Sequence, residues 1–361
     1  MISNINISRD KKLINLLLFI DFKKAFDTVD SNLLLTKLFY YGFDNSSLSL
    51  LSNYFKARKQ FTKLGNVSSE PLSVKLGVPQ GSILGPLFFL IFINDLPLLV
   101  KDLDCKLFAD DTTFYHSEPS LNHLIREFTD RIKPLFVWCS KNRIDINYSK
   151  TYCMFITNKR VVIPNNIELN GHIVEVVDKF KLLGITIDNK LNFRNHVADL
   201  SMIINTKLFS IKRLFQLSTS VKIQFFKTFI LPYFDYCATL FIYFPNSLLQ
   251  KFCNKYYLVL FKLFKIEFSN FVNISQVNVY LKDKFNIFSF QHRLFYRISC
   301  LSFKIINFKN TPHELKDIIL TEYLSECVNK IKPIENGIRL RSQRILTGKS
   351  ESSSKFLRST F

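Results

Sequence analysis

The sequence predicts an α+β protein, with a strand-bearing first half and a mostly helical second half. Three observations carry this. The apolar run 16–20 ends at Asp21, the pattern of a buried strand with a carboxylate at its C-terminal end. Residues 105–109 and 112–116 are short strand-like pieces around Asp110-Asp111, a hairpin with two acids at its turn. From residue 192 onward the pattern turns helical, with Val197, Leu200, Ile204, Leu208, Ile211 and Phe215 at helical spacing.

The remaining elements follow in order. Ser31 is placed to cap a helix whose apolar residues Leu34, Leu35, Leu38 and Tyr41 share a face, with Gly42 as its stop. A second helix follows Asp44-Asn45-Ser46, and runs 61–64 and 67–76 flank Gly65-Asn66 as a hairpin would. Pro79-Gln80-Gly81-Ser82 leads into an apolar helix over 83–94. Leu121, Leu124, Ile125, Phe128, Ile132, Leu135 and Phe136 form one helical stripe, with a kink expected at Pro134. Residues 144–146 and 152–156 read as strands, and Asn170-Gly171 reads as a hairpin turn. Residues 180–187 read as a single strand containing Gly184. Most of 220–330 reads as helix, and the 38 Phe point to aromatic packing there. The last 33 residues, from Asn329, hold eight Lys/Arg against Glu335 and Glu351, a composition expected of a disordered basic tail.

With 361 residues, 47% of them apolar, the chain has material for two or three domains. Its 49 basic and 29 acidic residues leave a net charge of +20. Such a field favours a polyanionic partner, a nucleic acid or less often an anionic membrane face, although a lysine-rich genome raises charge as well. The seven cysteines are odd in number and form no C-x-x-C pair, and the six histidines offer no H-x₃₋₅-H spacing. That argues against a zinc site or a disulfide framework and for an intracellular protein, in nucleus or cytoplasm. No membrane span is expected, because the longest apolar run, 83–93, contains Gly85 and Pro86 and falls short of the roughly 20 residues a span needs. The N-terminal residues carry too short an apolar stretch for a signal peptide.

The chemistry-bearing set is Asp21 with Asp110-Asp111, each at the end of a strand-like run. If those strands are neighbours, three carboxylates converge, and like charges in close quarters raise one another's pKa. Divalent cations remove the difficulty, and hard oxygen ligands favour Mg²⁺ or Mn²⁺ over zinc. Two such ions about 4 Å apart can polarise an attacking 3′-hydroxyl and steady a departing pyrophosphate. Singly, each element has a plainer reading: Asp21 as a cap or surface acid, and Asp110-Asp111 as a polar turn.

Taken together, five segments decide. They are Phe19-Ile20-Asp21-Phe22-Lys23-Lys24-Ala25-Phe26-Asp27-Thr28-Val29-Asp30; Gly77-Val78-Pro79-Gln80-Gly81-Ser82-Ile83-Leu84-Gly85-Pro86 with Asn94-Asp95-Leu96; Phe108-Ala109-Asp110-Asp111-Thr112; Ile144-Asp145-Ile146-Asn147-Tyr148-Ser149-Lys150-Thr151; and Leu182-Leu183-Gly184-Ile185-Thr186. In order and spacing they resemble the palm motifs of non-LTR (LINE-type) retrotransposon reverse transcriptases. The resemblance covers residues 13–190 well and is looser over 191–260. There Ile230-Leu231-Pro232-Tyr233-Phe234-Asp235-Tyr236 resembles the segment such elements carry after the palm.

The resemblance implies a polymerase palm, an antiparallel sheet with helices on one face, over 1–190 with partial fingers. A helical thumb-like or accessory region would occupy 191–328, and the basic tail 329–361. Few residues precede Asp21, so a chain truncated at its N-terminus and lacking most of the fingers is expected, with 31–76 supplying a part.

The implied activity is RNA-directed DNA polymerisation: dNTPs are joined to a DNA primer 3′-hydroxyl on an RNA template with two Mg²⁺ (or Mn²⁺) ions. Asp21 and Asp110 would be the main metal ligands, with Asp111 beside them, and Phe22 would lend a backbone carbonyl. Phe26 would place a ring below the incoming sugar and exclude a 2′-hydroxyl. Gln80 and Gly81 would form a tight loop near nucleotide and template, where glycine lets the backbone approach. Lys150 would neutralise phosphate charge or act as an acid on pyrophosphate, and Leu183-Gly184 would lie near the primer. Asp27 and Asp30 read as structural, capping the helix that follows.

Plainer alternatives stay open for Phe26 as a core ring, for Pro-Gln-Gly as a turn, and for Lys150 as one of 49 basic residues. The alternative function is a catalytically silent nucleic-acid-binding relic of such an element. A metal-dependent nuclease built on the same acids would leave Phe26 and the Pro-Gln-Gly loop without purpose. No motif fixes an oligomeric state.

Overall fold

Strand β1 (Ile14–Ile20) is buried at all seven residues and forms the axis of the first half of the chain. The protein is described here by a computed structural model, which covers residues 1–210, 216–308 and 311. It divides into two units, Met1–Leu191 and Asn192–Phe361. The basic tail 329–361, together with Ile211 and Phe215 of the expected helical stripe, lies outside the described residues.

In the first unit α1 (Ile2–Asp10) precedes β1, and α2 (Ser31–Tyr40) and α3 (Asn45–Phe55) follow it. Four two-residue strands come next, β2 (Lys59–Gln60), β3 (Lys63–Leu64), β4 (Val67–Ser68) and β5 (Leu72–Ser73). Helices α4 (Leu84–Ile93) and α5 (Leu96–Leu99) lead to the hairpin of β6 (Asp104–Phe108) and β7 (Asp111–Glu118). Then come α6 (Leu121–Arg131), α7 (Lys133–Asn142), β8 (Tyr152–Ile156), β9 (Asn166–Leu169), β10 (His172–Val176), β11 (Lys179–Leu182) and β12 (Ile185–Asp188).

Six strands form one sheet in the order β6-β7-β1-β8-β10-β9, antiparallel throughout except for the parallel pair β8–β10. The α+β class is as expected. Leu16, Leu18 and Ile20 join Phe114, Cys153 and Phe155 in the main core, which α2, α4, α6 and α7 cover with Leu34, Phe89, Phe128 and Trp138. On the opposite face Asn4 of α1 donates to the Tyr115 hydroxyl at 3.2 Å, and Phe180 of β11 stacks on Phe19 at 4.0 Å. Covered on both faces, β1 can be apolar without alternation.

Four local expectations are corrected. Of the two caps expected for α2 beside Asp27, Asp30 takes the place and Ser31 does not, because the Asp30 carboxylate accepts from the N–H groups of Asn32 and Leu33 while Ser31 is already helical. The stripe 121–136 is two helices broken at Ile132, with Pro134 in the first turn of α7, where its missing N–H costs nothing. Residues 144–146 form only an isolated bridge, Ile146 to Phe22. Residues 180–187 fold back as the β11–β12 hairpin, with Leu183 at φ 47° and Gly184 at φ 79° forming the turn. Asn170-Gly171 makes a turn of the same kind between β9 and β10, as expected.

The second unit is helical in its described residues: α8 (Arg194–Ser210), α9 (Thr219–Phe225), α10 (Pro232–Asp235), α11 (Asn246–Phe264), α12 (Ile274–Phe285) and α13 (Phe290–Asn307). Its centre is aromatic, as the composition suggested. Phe234 lies 4.9 Å from Phe252 and 5.2 Å from Tyr256, and the Tyr256 hydroxyl donates to the Phe288 carbonyl at 2.7 Å. Among the described residues no helix is long and apolar enough to cross a membrane.

One polar hub ties the helical layer together. Asp95 accepts from Lys37 Nζ and from Trp138 Nε1, each at 2.9 Å, and Lys37 also donates to the Phe92 carbonyl at 2.6 Å. Burial pulls the Lys37 ammonium below its ordinary pKa, and Asp95 opposes that pull. Asp95→Ala leaves Trp138 Nε1 without its acceptor and the half-buried Lys37 without its counter-charge, so a loss of about 2 kcal/mol in urea unfolding is expected. Lys37→Met combined with Asp95→Leu should cost roughly half as much, because no unpaired charge remains. A loss below about 0.5 kcal/mol for the single variant would show the hub to be dispensable.

Candidate active site

The β1–β7 register decides where the acids meet. Ile20 pairs with Thr112, so Asp21 leaves β1 beside the β6–β7 turn. That turn is closed by Phe108 opposite Asp111, with Ala109 at φ 53° and Asp110 between them. Burial pushes the Asp111 carboxyl above its ordinary pKa, and the charges of Asp110 and Asp21 push it in the same direction. The three predicted carboxylates therefore share one electrostatic neighbourhood. They gather without closing on a point, since among the described residues no three His, Cys, Asp or Glu side chains are set to hold a metal ion together.

The fourth motif fixes Asp21 from the far side. Asn147 Nδ2 donates to Asp21 Oδ2 at 2.8 Å, and the Asn147 backbone N–H donates to the Asp21 carbonyl at 2.8 Å. Ser149 Oγ in turn donates to Asn147 Oδ1 at 2.7 Å, which orients the amide. Thr151 Oγ1 accepts from the Asp21 N–H at 3.4 Å. Phe22 is buried beside this contact, bridged to Ile146, with its ring 6.3 Å from Trp138.

The first and second motifs dock through their backbones. Gly77 donates to the Val29 carbonyl at 2.8 Å, and Val78 donates to the Phe26 carbonyl at 2.9 Å. Gly77 has φ +82°, and a Cβ there would stand 2.7 Å from Asp27 backbone atoms, so only glycine allows this approach. Arg58 Nη2 donates to the Gly77 carbonyl at 2.6 Å, and Gln80 Nε2 donates to Asp27 Oδ1 at 2.6 Å. Gly81, at φ +81°, opens onto free space. The Phe26 ring is half-buried and stacks on Phe89 of α4 at 4.5 Å.

Lys150 is exposed, and among the described residues its ammonium makes no hydrogen bond or ion pair; its backbone N–H donates to the Asn147 carbonyl at 3.0 Å. Leu183-Gly184 stand at the tip of the β11–β12 hairpin. The structure thus brings the three acids together and leaves Lys150 reaching none of them.

Sequence reasoning missed Asn147, Gly77 and Arg58, and it took Asp27 for a helix cap where it holds Gln80. Asn147 and Gly77 lie inside two of the five motifs, and that position is the signal they carry. Arg58 carries no sequence signal, because its partners are backbone carbonyls.

A family model described as reverse transcriptase (RNA-dependent DNA polymerase) matches residues 2–187. The chain is 33% identical over 202 residues to a probable RNA-directed DNA polymerase from transposon BS of Drosophila melanogaster, a match covering 52% of this chain and 21% of that protein. It is 25% identical over 225 residues to the RNA-directed DNA polymerase from mobile element jockey of the same organism, covering 59% of this chain and 24% of the other. The chain therefore spans less than a quarter of the length of these two relatives. Among solved structures, a telomerase from Candida tropicalis in complex with a TWJ fragment of telomeric RNA aligns at 12% identity and a TM-score of 0.43, over 89% of this chain and 51% of its own, too distant to argue from. The matched model, the curated relatives and the five ordered motifs agree, and the chain belongs to the reverse transcriptase family in its non-LTR retrotransposon branch.

Proposed function

We propose that this chain is the polymerising part of a non-LTR retrotransposon RNA-directed DNA polymerase, joining dNTPs to a primer 3′-hydroxyl on an RNA template. The observation that carries the reading is the β1–β7 register, which gathers Asp21, Asp110 and Asp111 at one end of the sheet. On this reading the first unit serves as palm with part of the fingers, and residues 191–328 serve as a thumb-like region.

The donor set fits a hard divalent cation: it is all carboxylate oxygen, and the burial that raises the Asp111 carboxyl, with the repulsion from Asp110 and Asp21 added to it, is what a cation offsets. Asp21 and Asp110 would hold Mg²⁺ or Mn²⁺, with Asp111 and the Phe22 carbonyl beside them. When bound, two such ions supply charge neutralisation for the attacking hydroxyl and the departing pyrophosphate.

The rest falls to the chain. Asn147 holds the Asp21 carboxylate in one orientation. The Gly77–Gln80 stretch, pinned to Val29, Phe26 and Asp27, presents a fixed loop to nucleotide and template, and Gly81 leaves room beside it. Phe26, seated on Phe89, forms a floor against which a 2′-hydroxyl would clash. Lys150 brings an exposed ammonium to meet phosphate charge, and the net +20 favours template and primer.

A second reading draws on the open spacing of the acids: the chain binds template without polymerising. Primer extension on poly(rA)/oligo(dT) with Mg²⁺ or Mn²⁺ separates the two. The first reading expects extension that falls at least about a hundredfold, about 2.7 kcal/mol of transition-state stabilisation, in the Asp110→Ala, Asp111→Ala double variant. It also expects Phe26→Val to incorporate ribonucleotides more readily. No extension by either chain, with salt-sensitive template binding retained, would establish the second reading.

Asn147→Ala tests the positioning of Asp21 separately. Extension should fall about 10- to 100-fold, as when the partner of a metal ligand is removed, while the melting temperature stays near that of the parent chain. Unchanged extension would show that Asp21 needs no such restraint.

A further inference from the structure

In the second unit, residues 230–236 are left unused by the polymerising site. The turn before them, Phe226–Ile230, is a π-helix, a departure from α-helix that is frequent at functional sites. It delivers Asp235 at the end of α10. Asp235 accepts from Arg293 Nε at 3.1 Å and again from the Nη2 of that side chain, and it accepts from Arg297 Nη2 at 2.7 Å. One carboxylate therefore clasps two guanidinium groups of α13.

The clasp opens onto a groove of about 640 Å³ that Lys227, Pro232, Tyr236 and Phe288 also line. Lys227, Arg293 and Arg297 stand against the single acid Asp235, an excess of two positive charges. Arg293 is largely buried, and both of its bonds go to Asp235, so it acts as a staple between α10 and α13. Arg297 is 47% exposed and gives Asp235 one nitrogen, and a guanidinium has five N–H donors. Lys227 is exposed, and Tyr236 is 54% exposed.

We propose that this groove binds an unpaired nucleic-acid strand, its phosphates against Lys227 and Arg297 and a base against the Tyr236 ring. The guanidinium fork and the ammonium suit phosphate oxygens, and the Asp235 charge is already matched by the two arginines it holds. A cationic groove with an accessible aromatic face is the combination that tracks single strands, because every base has a face to stack. A buried small-anion pocket would instead enclose its ligand, and this groove is open. The proposal does not rest on the metal site and would hold for a chain that never polymerised.

The test is equilibrium binding of the full chain, in EDTA, to fluorescent uridine RNA and thymidine DNA oligonucleotides of about 12 nucleotides across a salt series. The Lys227→Gln, Arg297→Gln double variant should bind about tenfold more weakly and lower the slope of log K against log salt by about 1.4, about 0.7 for each phosphate no longer neutralised. Tyr236→Ala should also lose about tenfold, with Tyr236→Phe restoring binding. Lys282→Gln, at an exposed position on α12 outside the groove, should bind as the parent does. Melting temperatures of all four variants, close to the parent, exclude a folding defect. Loss on RNA, on DNA or on both supports the groove and identifies the strand it takes. An unchanged slope in the charge variant, parent-like binding by Tyr236→Ala, or an equal loss in Lys282→Gln overturns it.

Discussion

The pairing of β1 with β7 is the constraint on which the rest of the first unit depends. It carries seven residue pairs, from Ile14 opposite Glu118 to Ile20 opposite Thr112, and its last pair delivers Asp21 to the Asp110-Asp111 turn. A slip of one residue would exchange the two faces of β1. Leu16 and Leu18 would leave the main core, and Phe19 would lose its stack on Phe180. Since both faces are buried, the slip is costly on both sides. Apolar packing thus holds in place an arrangement of charges that repel one another: burial raises the Asp111 carboxyl, and the charges of Asp110 and Asp21 raise it further.

Around this register the loops are held by bonds between motifs. Asp30 caps α2 and accepts from Arg143 Nη1 at 2.6 Å, so the end of the first motif is tied to the end of α7. Gly77 and Val78 lie against the carbonyls of Val29 and Phe26, and Gln80 hangs on Asp27. The segment after Asp21 is therefore a junction of three motifs. That explains why so many positions near it are small, polar or fixed in φ although they touch no reacting group.

The sequence reading succeeded where local pattern and tertiary demand agree. The apolar run into Asp21, the two-acid hairpin and the Asn170-Gly171 turn each state their structure in a few adjacent residues. It failed where a distant partner decides. Residues 144–146 are apolar and alternating enough for a strand, yet the β-pairing they make is the single bridge from Ile146 to Phe22, because β8 already occupies the edge of β1. Leu183-Gly184 read as strand interior because leucine rarely adopts positive φ, and the hairpin nevertheless turns there so that Phe180 can reach Phe19. The three acids of the candidate site were legible one by one. Their restraint by Asn147 was not, since an amide 126 residues from its carboxylate announces itself only in the fold.

The central claim is that the gathered acids form a divalent-cation site, and Mn²⁺ binding measured by electron paramagnetic resonance tests it most directly. The parent chain should bind Mn²⁺ at neutral pH in moderate salt. Asp110→Asn and Asp21→Asn should each weaken that binding at least about tenfold without changing the circular dichroism spectrum, as loss of one carboxylate ligand requires. Equal Mn²⁺ binding by the parent and both variants would contradict the account, because the acids would then be neighbours without a common ion.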